Sequence, residues 1–215
     1  MIIEDAILLG KTHPEIDRQG RQTVCSIFFS PELRQFLRVY PLAMKNLPPD
    51  FSVCEIKLER NPKDTRHESW KIHGPRGVDV HENINSRITV KSIVNDRDSI
   101  LKMLPRVDSI AEANEKRLSI AVVEPRDTVK FALEKNKNIK EGNSSKSYPW
   151  IPRLHFKTGS TNHKLQFLNQ EVFKNMSKKS HGSVDHILEK ISGTPKLLVG
   201  NMFAYKNNWL VVSVF

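Results

Sequence analysis

Through the first 73 positions apolar and polar residues alternate over short spans, which is the pattern of half-buried strands rather than of helices. Residues 52–60 are the clearest case: Cys54, Ile56 and Leu58 fall on one side, Glu55, Lys57 and Glu59 on the other. Residues 2–9 and 22–29 are more uniformly apolar, as strands covered on both faces are. Residues 36–40 read as a strand or as a helical turn begun at Ser30-Pro31-Glu32. After the turn Asn61-Pro62-Lys63-Asp64, residues 68–73 return as a strand. This spacing predicts a small barrel or strongly curved sheet, the architecture of OB-like and SH3-like modules.

Beyond the break at Gly74-Pro75-Arg76-Gly77, residues 87–93 and 118–123 read as strands. Between them the pattern gives two short helices, 96–103 capped by Asn95 and 109–116 after Asp108, separated by Pro105. Residues 136–149 are polar, rich in Lys, Ser and Asn and without period, the composition of a linker or mobile loop. Residues 153–157 form a strand. Residues 162–179 place Leu165, Leu168, Val172 and Met176 on one helical face. Ser183 caps a second helix with Val184, Ile187, Leu188 and Ile191 inward, ending at Gly193. The most apolar stretch, residues 196–215, reads as a hairpin turning at Lys206-Asn207-Asn208, with 209–215 as a central strand. The expectation is an α+β protein: a β-rich domain over 1–135, a linker over 136–149, and a basic β-α-α-β-β part over 150–215.

Charge sharpens this division. Residues 125–215 hold 15 Lys and Arg against 6 Asp and Glu, a net of +9 out of the chain's +10. A basic half of this kind points to an anionic partner, above all nucleic acid, DNA or RNA. Two cysteines, Cys25 and Cys54, give no disulfide framework. Glu4 and Asp5 interrupt the opening apolar run, and no stretch reaches the roughly 18 apolar residues of a membrane span, so the expected setting is cytoplasmic, with no membrane partner.

The sequences ERNPKDTRHESWK at 59–71, LHFKTGSTNHKLQFLNQEVF at 154–173 and KLLVGNMFAYKNNWLVVSVF at 196–215 carry a resemblance to a group of uncharacterised prokaryotic proteins. The resemblance implies a prokaryotic, cytoplasmic setting. Many members place a cysteine pair ahead of the histidine, which suits zinc; here Thr158, Gly159, Ser160 and Thr161 precede His163, so no metal is expected.

Candidate chemistry is sparse. Asp50, Glu55 and Lys57 match the residue types of a metal-dependent nuclease, but four intervening residues leave no room to place Asp50 and the Glu-x-Lys unit on adjacent strands. Asp64, Arg66 and Glu68 form an acid-base-acid row that is read as a charged surface loop. His181 and His186 are five apart, off any common helix face, and no phosphate loop or nucleophile elbow occurs. The binding reading rests on the 162–179 helix, where Gln166, Gln170, Lys174 and Lys178 form a ridge at four-residue spacing. Lys164 and Lys179 extend its charge, Arg153 and Lys157 lie on the preceding strand, and Trp150, with Tyr148, offers a stacking surface. The expected function is a nucleic-acid-binding accessory protein that contacts the phosphate backbone, without cofactor or catalytic residues, within a prokaryotic nucleic-acid-processing or defence complex. The alternatives are a nuclease or nucleic-acid-modifying effector, and a protein-protein adaptor.

Overall fold

The computed structural model describes residues 1–16, 22–44, 47–74, 87–136, 150–177, 188–189 and 191–215, which group into two units, Met1–Pro105 and Arg106–Phe215. In the first unit β1 (Ile2–Lys11), β3 (Gln22–Ser30), β4 (Gln35–Ala43), β5 (Ser52–Arg60) and β6 (Ser69–Ile72) close a barrel in the order β1-β3-β4-β6-β5-β1. A short β2 (Glu15–Ile16) lies beside β3. Neighbours are antiparallel except β4 and β6, which run parallel. β1 closes the barrel by dividing its length, Ile2 to Ile7 pairing with β5 and Ile7 to Lys11 with β3. Register shifts after Ile3 and after Leu8 let it bend between the two partners.

The expected small barrel is therefore present, and the alternating 52–60 stretch is β5 with Cys54, Ile56 and Leu58 in its core. Residues 36–40 belong to a strand because Ser30-Pro31-Glu32 opens a tight turn instead of a helix. The Asp5 carboxylate accepts from Ser30 Oγ and from the Glu32 amide, both at 2.7 Å, and Arg34 closes the turn at φ +50°. The barrel core of Leu8, Val24, Phe28, Leu37, Val39 and Leu58 is completely buried, each side chain contributing about 1.5–3 kcal/mol. β7 (Ile88–Ile93) pairs with β5 on the edge opposite β1, in line with β6 and in the same direction. β6 and β7 are thus two parts of the barrel's last strand. α1 (Arg97–Met103) follows, capped by Asp96, one residue later than expected, through its bond to the Ser99 amide.

The second unit contains β8 (Arg106–Val107), α2 (Ile110–Glu115) capped by Ser109, β9 (Ile120–Val123), β10 (Lys130–Lys135), β11 (Trp150–Thr158), β12 (Thr161–Phe167), α3 (Gln170–Ser177), β13 (Leu197–Asn201) and β14 (Trp209–Val214). Its sheet runs β10-β11-β12-β14-β13-β9-β8, with β12–β14 and β8–β9 parallel and the other pairs antiparallel. β9 and β10, at or near opposite ends of that order, are separated in the chain only by residues 124–129. The Arg126 amide donates to the Lys157 carbonyl at 3.0 Å and ties this segment to β11. Taken as one interrupted strand, β9 and β10 do what β1 does in the first unit: the early part pairs with the fourth strand, the late part with the second. The parallel pair β12–β14 takes the place of β4–β6. Both units therefore carry the strand order of the OB barrel, one with its fifth strand interrupted and the other with its first.

The C-terminal hairpin lies inside the sheet, between β12 and β9, with Trp209, Val211 and Val214 buried and Trp209 Nε1 donating to Asn114 Oδ1 at 2.8 Å. The expected helix over 162–179 is not found: its first part is β12, and α3 begins only at Gln170. Gly159 and Ser160 form a two-residue turn between the paired Thr158 and Thr161, with Gly159 at φ +57°, and this folds the chain straight back along β11. The β-α-α-β-β expectation for this part thus gains a strand: the described residues give two strands, α3, helical residues at 188, 189 and 191, and two more strands. Residues 137–149 of the expected linker lie outside the described residues, and so do 183–187 of the expected second helix. The strands flanking the former, β10 and β11, pair over six residues within one sheet.

Candidate nucleic-acid interface

β11 sorts its side chains by alternation. Leu154 and Phe156 enter the core, while Arg153, His155 and Lys157 face outward. β12 matches it rung by rung: Arg153 lies opposite Gln166, His155 opposite Lys164, and Lys157 opposite Asn162. Residues directly opposite share a face, so the outer surface of the β11–β12 pair is a ladder of three cations, two amides and an imidazole. Lys130 on β10 lies opposite His155 and extends the same rung.

One carboxylate stands within this surface. Glu134 on β10 accepts from Arg153 Nε at 2.9 Å and from Lys164 Nζ at 2.5 Å, with His155 Nε2 at 3.9 Å. The hydrogen bond from Lys164, with the charges of Lys164 and Arg153 beside it, holds the Glu134 carboxyl below the usual carboxylate range. Lys157 has no ion pair among the described residues. Its neighbour across the rung is neutral, so its charge is available to a ligand.

The inner row explains the histidine that the cysteine-bearing pattern would make a metal neighbour. His163 lies opposite Phe156, its ring 5.2 Å from that of Phe156, and its Nε2 is 2.7 Å from Thr158 Oγ1. Burial pushes its pKa down, so it stays neutral as part of the sheet's inner face.

Of the residues singled out from sequence, the structure brings Arg153, Lys157, Lys164 and Gln166 onto one surface. The helical ridge does not exist: Gln166 is on β12, whereas Gln170 begins α3 and is buried. Lys174 belongs to α3, and Lys178 and Lys179 lie outside the described residues. Trp150 opens β11 on the row of Leu154, not that of Arg153, and is 47% exposed at the strand's end. Sequence reasoning missed His155, Asn162, Lys130 and Glu134. The signal that exposes them is Gly159-Ser160 between two alternating runs, which marks a two-residue hairpin.

The corresponding surface of the first unit differs. On β3 and β4 the side chains facing away from the barrel core include Ile27, Phe29, Phe36 and Arg38, all buried. Asp50 is 3.0 Å from Lys11 Nζ and Glu55 is 2.6 Å from Lys91 Nζ, so the two acids of the nuclease alternative are each held by a separate lysine. Among the described residues no three His, Cys, Asp or Glu side chains lie close enough to hold a metal ion. Both cysteines are free thiols.

The fold thus defines two units with OB strand order, one of them with a basic outer surface. Residues 3–102, which make up most of the first unit, match the family model described as Domain of unknown function (DUF8758). No curated protein and no solved structure matches the chain.

Proposed function

We propose that the protein is a cytoplasmic nucleic-acid-binding accessory component that engages phosphates through the outer face of β11 and β12, without catalysis of its own. The observation that carries this reading is the three-rung ladder Arg153/Gln166, His155/Lys164, Lys157/Asn162. Cations four residues apart on a strand are separated by about 13 Å, a span that covers several phosphates. Amides between them add hydrogen-bond donors for phosphate oxygens and base edges. By analogy of fold, OB barrels use this second and third strand face for oligonucleotides. The basic balance of residues 125–215 supports the same reading.

The test is fluorescence anisotropy with a short labelled oligonucleotide across a salt series, comparing the unaltered chain with the Lys157→Ala/Lys164→Ala double variant. Both lysines are on solvent-facing positions of their strands, so melting temperatures stay close. The unaltered chain binds with a strong salt dependence, and loss of two phosphate contacts lowers the magnitude of the log-log slope by about 1.4–1.8. An unaltered chain that binds no oligonucleotide at low salt overturns the function, and an unchanged slope in the double variant removes this face from it.

A further inference from the structure

The β13–β14 hairpin ends in residues 202–208, where the ladder continues through the bond from the Met202 amide to the Asn208 carbonyl and turns at the Asn208 amide to Tyr205 carbonyl bond. Asn201 Nδ2 donates to the Lys206 carbonyl at 2.9 Å and fixes the tip from inside. This tip exposes Met202 (37%), Phe203 (49%) and Tyr205 (66%), whereas most other large apolar groups among the described residues are buried. Exposed aromatics clustered on a braced turn, next to Lys206, have a use other than filling a core.

Register places that tip. β14 runs parallel to β12 and its pairing starts at Gln166 opposite Leu210. The tip precedes β14, so it continues the line of β14 back along residues 161–165 of β12. Those residues carry Asn162 and Lys164 of the basic ladder on their outer face. The register thereby puts the hairpin tip on the strand next to β12, beyond the last paired rung and towards the end of β12 that carries the ladder. A duplex presents phosphates to such a surface but keeps its bases stacked inside, whereas a single strand offers both.

We infer that the ligand is single-stranded nucleic acid, its phosphates on the β11–β12 ladder and an unpaired base stacked on the Tyr205 ring at the hairpin tip. The inference rests on the nucleic-acid reading above and adds the strandedness of the ligand and the residue that selects it. Tyr205 serves any base, because stacking uses the ring face and no hydrogen-bond pattern. Lys206 beside it adds one further cation for the backbone.

The experiment compares the unaltered chain with Tyr205→Ala and Tyr205→Phe on three probes: a single-stranded oligonucleotide, the same length of duplex, and an abasic strand carrying the same phosphates. Tyr205→Ala weakens single-strand binding by roughly five- to hundredfold. The salt slope stays unchanged because no charge is lost. Tyr205→Phe keeps the affinity, and binding to duplex and abasic strand is the same in all three proteins. If the unaltered chain binds but Tyr205→Ala binds single strand equally well, or loses affinity equally on the abasic strand, the stacking inference is overturned while the phosphate-binding function stands. If the unaltered chain binds none of the probes, the function itself falls.

Discussion

Glu134 is the only acid among the described residues of the ladder surface, and replacing it makes a prediction opposite in sign to most binding-site substitutions. Its carboxylate occupies the donors of Arg153 and Lys164 that a phosphate would use. An incoming backbone therefore exchanges one anion for another at these two side chains, and releases fewer counterions there than the cation count suggests. Glu134→Gln keeps the shape of the side chain and removes the competing charge, raising the formal net charge from +10 to about +11. If one or two additional phosphates are then neutralised, the log-log salt slope steepens by about 0.7–1.8, and each contact is worth a factor of about 5–8 in affinity between 1 M and 0.1 M salt. Exposed ion pairs add little to stability, so the melting temperature hardly moves. Because the carboxyl is held below its ordinary range, lowering the pH from 7 to 5 leaves Glu134 charged and does not reproduce the effect in the unaltered chain. The assay is the same anisotropy titration at several salt concentrations. A Glu134→Gln variant that binds more weakly, or with an unchanged slope, would falsify the idea that Glu134 stands where a phosphate goes.

Two further predictions concern the fold. Deleting residues 210–215 removes β14 from between β12 and β13, with Val211, Val212 and Val214, each worth about 1.5–3 kcal/mol when buried, against a total stability of about 5–15 kcal/mol. The truncated chain loses the cooperative unfolding of its second unit in calorimetry; retention of two intact transitions would show the strand to be dispensable. His13 has its pKa lowered by burial from 6.5 to about 4, so the unfolded chain takes up a proton that the fold resists. Stability in urea therefore falls as the pH drops from 6.5 towards 4, and His13→Gln flattens that slope; an equal slope in the variant refutes the assignment.

Strand positions were legible wherever alternation and turn chemistry agreed. Residues 52–60, 22–29 and 87–93 were recovered almost to the residue, because a half-buried strand writes its two faces into the sequence. Two short helices were legible through capping residues, although the first cap is Asp96 rather than Asn95 and the second is Ser109, which the sequence pattern makes the first helical residue. The failure at 162–179 has a definite cause. Leu165, Leu168, Val172 and Met176 fit a helical stripe by number alone, but Leu165 belongs to β12 and Val172 to α3, and the turn at Gly159 decides the first of these. The spacing of the first strands suggested a small barrel, but the pairings that join distant strands could not be read, since β1 meets β5 and β9 meets β13 across long stretches of chain with no local signal. The basic surface was half legible: its charges were visible in the sequence, but which of them share a face depends on the register of β10, β11 and β12.

The place of β13 and β14 inside the second sheet bears on how the chain folds as it is made. The first unit has all its strands once Ile93 has been synthesised, so it can close early. The second cannot, because β9 and β12 meet only through the hairpin that comes last. At about 5–20 residues per second, roughly 5–20 s separate Val123 from Val214. During that interval one edge of β9, and one edge of β12 once Phe167 has been made, have no partner and invite pairing with other chains. Slower translation would lengthen this exposure, so aggregation of the nascent protein should arise in its second half.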